Sequence, residues 1–364
     1  MKKFLALLLC LLLLSQSVLA LGSAEEAKAA AQAAYEGYHS LAGIGKTELL
    51  SLGDDFPAGS SLCDWTAFCI ALLGAEKTDA YLSDLRQYAS EKLADSSVER
   101  AQPTEWHRVA LTAKALGADP TRFGVNDELD LIALGTYSFG GSSLGAAGLN
   151  GWIWALIALD CGGYSVPEGA KFQREDILAA ILSAQEADGG FGLMKGSSDV
   201  DITAMALQAL APYREQYSEE IEIALRFLSN AMEDTGDYTY GDVRNSESGS
   251  QVIIALCALG IDPEEDERFI RNGVTLLDGL RSFRQSDGSY AHEITDDKGN
   301  FLASEQALSA WIALARLRSG QGSIFDLRET AEESSGKPVL IYIAAAVVAG
   351  GGAVLVLGRK KKHE

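Results

Sequence analysis

At 364 residues, with 51 acidic against 30 basic side chains and a formal charge of −21, the chain is too acidic for a nucleic-acid binder, which needs a basic face for phosphates. Five cysteines and four histidines fall in no metal-ligand spacing, so no metal site is expected. Cys63, Cys69, Cys161 and Cys257 allow three pairings but sit in no disulfide-like framework, and buried free thiols are the simpler reading.

In chain order, Lys2 and Lys3 precede an apolar run, Phe4 to Leu14, and "SVLA" ends on the small residue Ala20. The pattern predicts a cleaved secretory signal over 1–20, with Ala24 as a second cleavage position. Two kinds of helix then alternate. One kind is apolar on nearly every side: 64–74, 105–117, 150–160, 201–211, 247–260 and 304–315. The other has one polar face: 24–41, 79–94, 126–137, 174–187, 218–232 and 267–285. Strand-like alternation is nearly absent. A polar tether, 319–337, leads to 21 uncharged residues, Pro338 to Gly358, about the length that crosses a bilayer. The basic tail 359–364 behind this transmembrane helix fixes that end as cytoplasmic. The expected topology is a single-pass protein of a bacterial cell membrane, with residues 25–318 outside.

The apolar segments repeat. Taking Leu73, Leu116, Leu159, Leu210, Leu259 and Leu314 as register marks, the spacings are 43, 43, 51, 49 and 55, a period typical of helical repeats. Six hairpins, each with one buried and one half-exposed helix, either stay open as a solenoid or close into a ring. An open array needs polar capping repeats, and neither terminal hairpin is polar enough. The expected fold is therefore all-α: an α/α toroid with inner and outer rings of six helices. The inner helices then run parallel, and their N-termini gather at one rim.

"QEADGGFG" (185–192) resembles the glutamine–tryptophan repeat of the prenyltransferase and squalene-oxidase (terpenoid cyclase) superfamily, through Gln185, Asp188, Gly189 and Phe191. "QSDGSY" (285–290) is a shorter second copy with Tyr290 as the aromatic, and both lack the family's Trp. The resemblance covers about residues 25 to 318 and implies the same α/α toroid. "DVDITA" (199–204) is similar to the acid motif of class II terpene cyclases through Asp199, Asp201, Thr203 and Ala204, which would make Asp201 the proton donor. Ile202 breaks that motif, and those cyclases resemble a pair of helical barrels where this chain has one. Its zinc-using relatives need an Asp, Cys and His trio that does not stand out here. Extracellular members resemble cobalamin carriers and surface toroids, which implies a bulky ligand such as a corrinoid.

All five tryptophans, Trp65, Trp106, Trp152, Trp154 and Trp311, fall on the apolar segments. By helical rotation Trp106, Trp152 and Trp311 share a 60° arc, the expected lining of a funnel. Asp64, Glu105, Asn150, Asp201, Glu247 and Glu305 open the same segments and form the expected rim, with Asp201 as a helix cap assisted by Thr203. Tyr240 joins that side, and His107 reads as a packed residue. The expected ligand-binding set is Trp65, Trp106, Trp152, Asp201, Thr203 and Tyr240, with no catalytic residue unless the cyclase reading holds. The expected function is capture of a bulky ligand such as a corrinoid, with surface adhesion or protein interaction as the alternative.

Overall fold

Ala-Leu runs bounded by Asp, Asn and Gly set where this chain turns helical. The computed structural model describes residues 23–94 and 102–328. The leader, the apolar stretch 338–358, the basic tail and most of the tether lie outside them. Among the described residues no helix is long and apolar enough to cross a membrane.

The protein is mostly helical. Six helices match the apolar segments: α2 (Ser61–Leu73), α4 (Pro103–Ala115), α6 (Asn150–Cys161), α8 (Val200–Leu210), α10 (Ser246–Ala258) and α12 (Phe301–Arg318). Their ends follow local chemistry. Asn245 and Asn300 accept backbone N–H groups at the starts of α10 and α12, and Gly74 ends α2 in the left-handed conformation. The second set is α1 (23–42), α3 (Asp79–Ala94), α5 (Leu131–Gly135), α7 (Arg174–Leu182), α9 (Ser218–Ala231) and α11 (Leu276–Ser282). In α9 the buried residues Ile221, Ala224, Leu225 and Leu228 form one stripe, as expected for a helix with one wet side.

Three expected elements are shorter than the sequence suggests. Where one helix is expected over 267–285, residues Ile270–Arg271 (β3) and Val274–Thr275 (β4) form a hairpin ahead of α11. Asn272 and Gly273 both have positive φ at its turn, the Asn-Gly signature of a tight hairpin. A second hairpin, Tyr238–Tyr240 (β1) with Val243–Asn245 (β2), precedes α10. Instead of a helix over 126–137, a loop with Asp127 at φ 57 delivers Asp130 to cap the five-residue α5. The helix expected to reach 187 stops at Leu182.

Each helix of the first set packs on the next: α2 on α4, α4 on α6, α6 on α8, α8 on α10 and α10 on α12. Helix α12 also packs on α2, so the order of neighbours returns to its start. The links between hairpins repeat as well. Glu186, Glu233 and Gln285 each accept an N–H from a glycine three residues on and donate to the carbonyl after it. Gly189, Gly236 and Gly288 all have positive φ, and two residues later a buried aromatic follows: Phe191, Tyr238 or Tyr290. The middle copy, "EDTGDY", has no Gln and stands outside the motif read from the sequence. Gln185 donates to Gly189 O (3.0 Å) and to Glu220 O in α9 (2.9 Å), tying its turn to the next polar helix.

The third turn meets the first helix. A Cβ added to Gly37 in α1 would stand 2.1 Å from the carbonyl of Gly288. Gly37→Ala should therefore lower stability by about 3 kcal/mol through overpacking against backbone. Gly249→Ala is the control, because an added Cβ there meets nothing within 4 Å and should be neutral or mildly stabilising in a helix. Urea unfolding checks both; equal stability for wild type and Gly37→Ala would mean that α1 does not seat on this turn.

Candidate functional site

The first turns of α2, α4 and α6 meet around a cavity of about 320 Å³, which touches Ser61, Thr104, Asn150 and Gly151. A second cavity, about 240 Å³, lies against α2, α6, α8, α10 and α12, and both share Ser61, Trp65 and Trp154. Lining residues recur at i, i+4 and i+7, the stripe one helix face presents. Helix α2 gives Ser61, Trp65 and Phe68; α8 gives Met205 and Gln208; α10 gives Gln251 and Ile254. Asp201 and Glu247 stand four residues before Met205 and Gln251, on the same stripes at the first turns.

Three chemistries are layered along this funnel. At its waist Trp65 and Trp154 pack with ring centroids 5.0 Å apart, tilted by 42°. Facing them is a carboxamide ladder. Gln208 donates to the Gln251 side chain (3.0 Å), which donates to Gln306 (3.2 Å). Gln208 is buried, and its Oε1 has no hydrogen-bond partner, a cost unless a donor reaches it. Beside the ladder, buried Glu305 accepts from the Ser309 hydroxyl (3.1 Å), and the Cys69 thiol stands 3.0 Å from that hydroxyl. Burial raises the Glu305 carboxyl to about 7, with Ser309 and Cys69 pulling the other way.

At the mouth, Asp199 caps α8, accepting the Ile202 N–H (2.9 Å). Asp201, expected in that role, sits in the first turn with Oδ1 buried and unpaired. The cap falls to Asp199 because the chain turns helical at Val200, two residues before the start that a cap at Asp201 requires. Burial raises Asp201 to about 6, opposed by Ser248 and assisted by Asp199 and Glu247. Glu247 accepts from His292 (2.7 Å), which raises that imidazole. Thr203 is committed elsewhere. Its hydroxyl accepts the Phe191 N–H (2.8 Å) and donates to Asp199 O (2.6 Å), so it fixes the glycine turn onto α8.

The tryptophan arc points the other way from the one expected. Trp106 is 2% exposed and lies beside Gly135 of α5. Trp152 packs edge-on against Phe172 (5.6 Å), and Trp311, 3% exposed, donates to the Tyr290 hydroxyl (2.8 Å) under Arg281. All three fill the gap to the second set of helices, where a thick side chain is needed between helices. Of the expected set, Trp65 lines the cavity and Asp201 lies on its stripe, whereas Tyr240 is 76% exposed on the β1–β2 hairpin. Glu305, read as a helix opener, is the fifth residue of α12 and deep in the funnel. Asp64 is fully buried and holds Arg108 (2.8 Å), the Tyr81 hydroxyl (2.8 Å) and Gly59 N (2.9 Å), a structural knot between α2 and α4. Glu105 bonds Tyr88 and Lys92. His107 is packed, its Nε2 2.5 Å from Gly135 O, and burial lowers it to about 4. The four cysteines among the described residues, Cys63, Cys69, Cys161 and Cys257, are free and buried. Missed in the sequence were Trp154, Phe325 and the three glutamines; stepping i+4 and i+7 from the first-turn residues finds all of these except Phe325.

The mouth also has an apolar lip. Leu193 and Met194 before α8, Tyr240 and Val243 before α10, and Phe301 and Leu302 at the start of α12 are all exposed. The chain matches no family model and no curated protein.

Both buried carboxyls make stability depend on pH. Their folded pKa values lie above those of the unfolded chain, so the protonated forms favour folding and that contribution is lost as pH rises from about 4 through 6 and 7. The melting temperature should be lower at pH 8 than at pH 5, and Glu305→Gln or Asp201→Asn should each shrink that difference. Asp199→Ala should instead cost about 1 kcal/mol at either pH. A pH profile unchanged in both amide variants would show that these carboxyls ionise freely.

Proposed function

We propose that the six hairpins close into an α/α toroid of the prenyltransferase and squalene-oxidase kind, and that its funnel binds a ligand rather than catalysing a reaction. Support for closure comes from the cyclic order of helix neighbours and from the contact of α1 with the Gly288 turn. One observation carries the binding reading: an aromatic pair, Trp65 and Trp154, faces a carboxamide ladder that ends in the unpaired Gln208 Oε1. Such a wall suits a flat, largely apolar group bearing a hydrogen-bond donor. The two cavities, about 240 and 320 Å³, lie at or below the small end of ligand pockets, ~300–1,000 Å³. A corrinoid fits this reading only as a lid across the mouth.

Against catalysis stands the use of Thr203 and Asp199 in the turn and cap, so that neither poises Asp201 as a strong acid. The apolar lip favours a second reading, adhesion to another protein, since exposed apolar patches mark interaction surfaces. The expected signal over 1–20 and the apolar stretch 338–358 support a toroid outside a bacterial membrane, held by its C-terminal end.

Titration of the protein with corrinoids and with smaller planar amides, followed by tryptophan fluorescence, tests the binding reading. A saturable change is expected, weakened about tenfold or more in Trp65→Ala and in Gln208→Leu. Equal binding by both variants, or none by the wild type, leaves adhesion as the better reading.

A further inference from the structure

The tether expected at 319–337 does not begin at residue 319. After α12 the chain turns back, and Ile324 and Phe325 are buried in the floor of the funnel. The Phe325 ring lies 5.6 Å from Phe68, 5.6 Å from Trp154 and 6.5 Å from Trp65, so three aromatic rings surround a fourth. The segment crosses to α6 through the Leu327 N–H on Cys161 O (2.9 Å), and Phe325 N–H meets the Ser323 hydroxyl (3.2 Å). The compact unit ends at Leu327.

This segment enters the funnel on a tight turn, closed by the Asp326 N–H on Ser323 O (3.1 Å), with the adjacent Ile324 and Phe325 both buried and one aromatic ring in a fitted box. Gly320 and Gly322 have positive φ, and an added Cβ at either would meet nothing within 4 Å, so the hinge stands in open space. Two buried side chains and the Arg316 guanidinium, which donates to Gln321 O (3.3 Å) and Asp326 O (3.2 Å), hold a segment whose ordering must be offset by its contacts. The same two rings, Trp65 and Trp154, line both cavities. Phe325 therefore completes the waist from below, while the mouth reaches it from above.

We propose that the box of Trp65, Phe68 and Trp154 is a recognition site for an aromatic side chain carried on a peptide turn, filled in cis by Phe325, and that release of residues 321–327 opens the funnel floor. The proposal rests on the reading of the funnel as a binding site and names its ligand class. Because the chain continues from Leu327 toward the apolar stretch 338–358, tension on that connection would act on the floor.

Two experiments on the full-length chain test it. In Phe325→Ala, acrylamide should quench tryptophan fluorescence more strongly than in wild type, and the peptide acetyl-QGSIFDL-amide should reverse this saturably. The same peptide with Ala for Phe should do nothing, and the wild type should respond at least tenfold more weakly. Should Phe325→Ala fail to fold, hydrogen exchange of the wild type decides. The amides of 324–327 should exchange at least a hundredfold faster than those of Ile312–Leu314 in α12. Exchange of both only by global unfolding, or a folded Phe325→Ala that ignores the peptide, would make Phe325 ordinary core and overturn the proposal. Binding of the small planar ligands with no response to the peptide would overturn it alone and leave the binding reading standing.

Discussion

No side chain fits between Gly37 and the turn at Gly288, where even a methyl group would stand 2.1 Å from backbone. That approach ties the first helix to the last inter-hairpin turn, and the rest of the arrangement depends on it. The turn can sit so close only because Gly288 takes positive φ and has no Cβ to direct outward. Gly189 and Gly236 do the same at their own junctions, against Ile223 and Thr275. A repeated tight turn thus sets a repeated spacing between layers. Once the first and last units meet by the same device as the internal ones, every apolar helix has a neighbour on both sides.

A neighbour on both sides explains the composition of the apolar helices. In α10 and α12 the buried faces carry Ser246, Ser248, Ser250 and Ala255 against Ala303, Ser304, Ala307 and Ala310. Small residues let backbones approach, and serine hydroxyls bond back to carbonyls such as Ser250 to Ser246 O (2.9 Å). Bulk is pushed to two places. Trp106, Trp152 and Trp311 fill the gap toward the second helix layer, and Trp65, Trp154 and Phe325 fill the axis. The funnel is what remains when side chains at i, i+4 and i+7 cannot all reach the centre.

The sequence made the apolar helices legible because burial on most sides leaves an unbroken Ala-Leu signature that no loop imitates. It made the second layer less so, because a half-exposed helix needs only a few apolar positions and yields to stronger local signals. Asn272-Gly273 is such a signal, and its two positive φ values outweigh the helical pattern around it. The Trp arc could be counted from the sequence, but its direction could not, since one rotation angle fits a face toward the axis or away from it. Asp199 and Asp201 are both good caps; a helix that starts at Val200 rather than at Ile202 decided between them. Phe325 was hidden for a different reason. "SGQGSIFDL" reads as a linker by composition, and only its contact with α2 and α6 makes it part of the core.

The two ends of the funnel differ because helices have direction. First turns leave N–H groups and a positive dipole end, and Asp64, Glu105, Asp201 and Glu247 all stand in first turns. Carboxylates there are favoured by the dipole, whereas burial raises Asp201 to about 6, opposed by Ser248. The opposite end leaves carbonyls without helical partners. A strand of returning chain is well matched to that end, because it brings N–H donors, and Leu327 gives one to Cys161 O at the end of α6. The first turns are therefore acidic beneath an apolar lip, and the floor is a place where peptide backbone is welcome. The same asymmetry that draws the chain's own segment to the floor would draw a peptide turn whose aromatic side chain is long enough to reach Trp65 and Trp154.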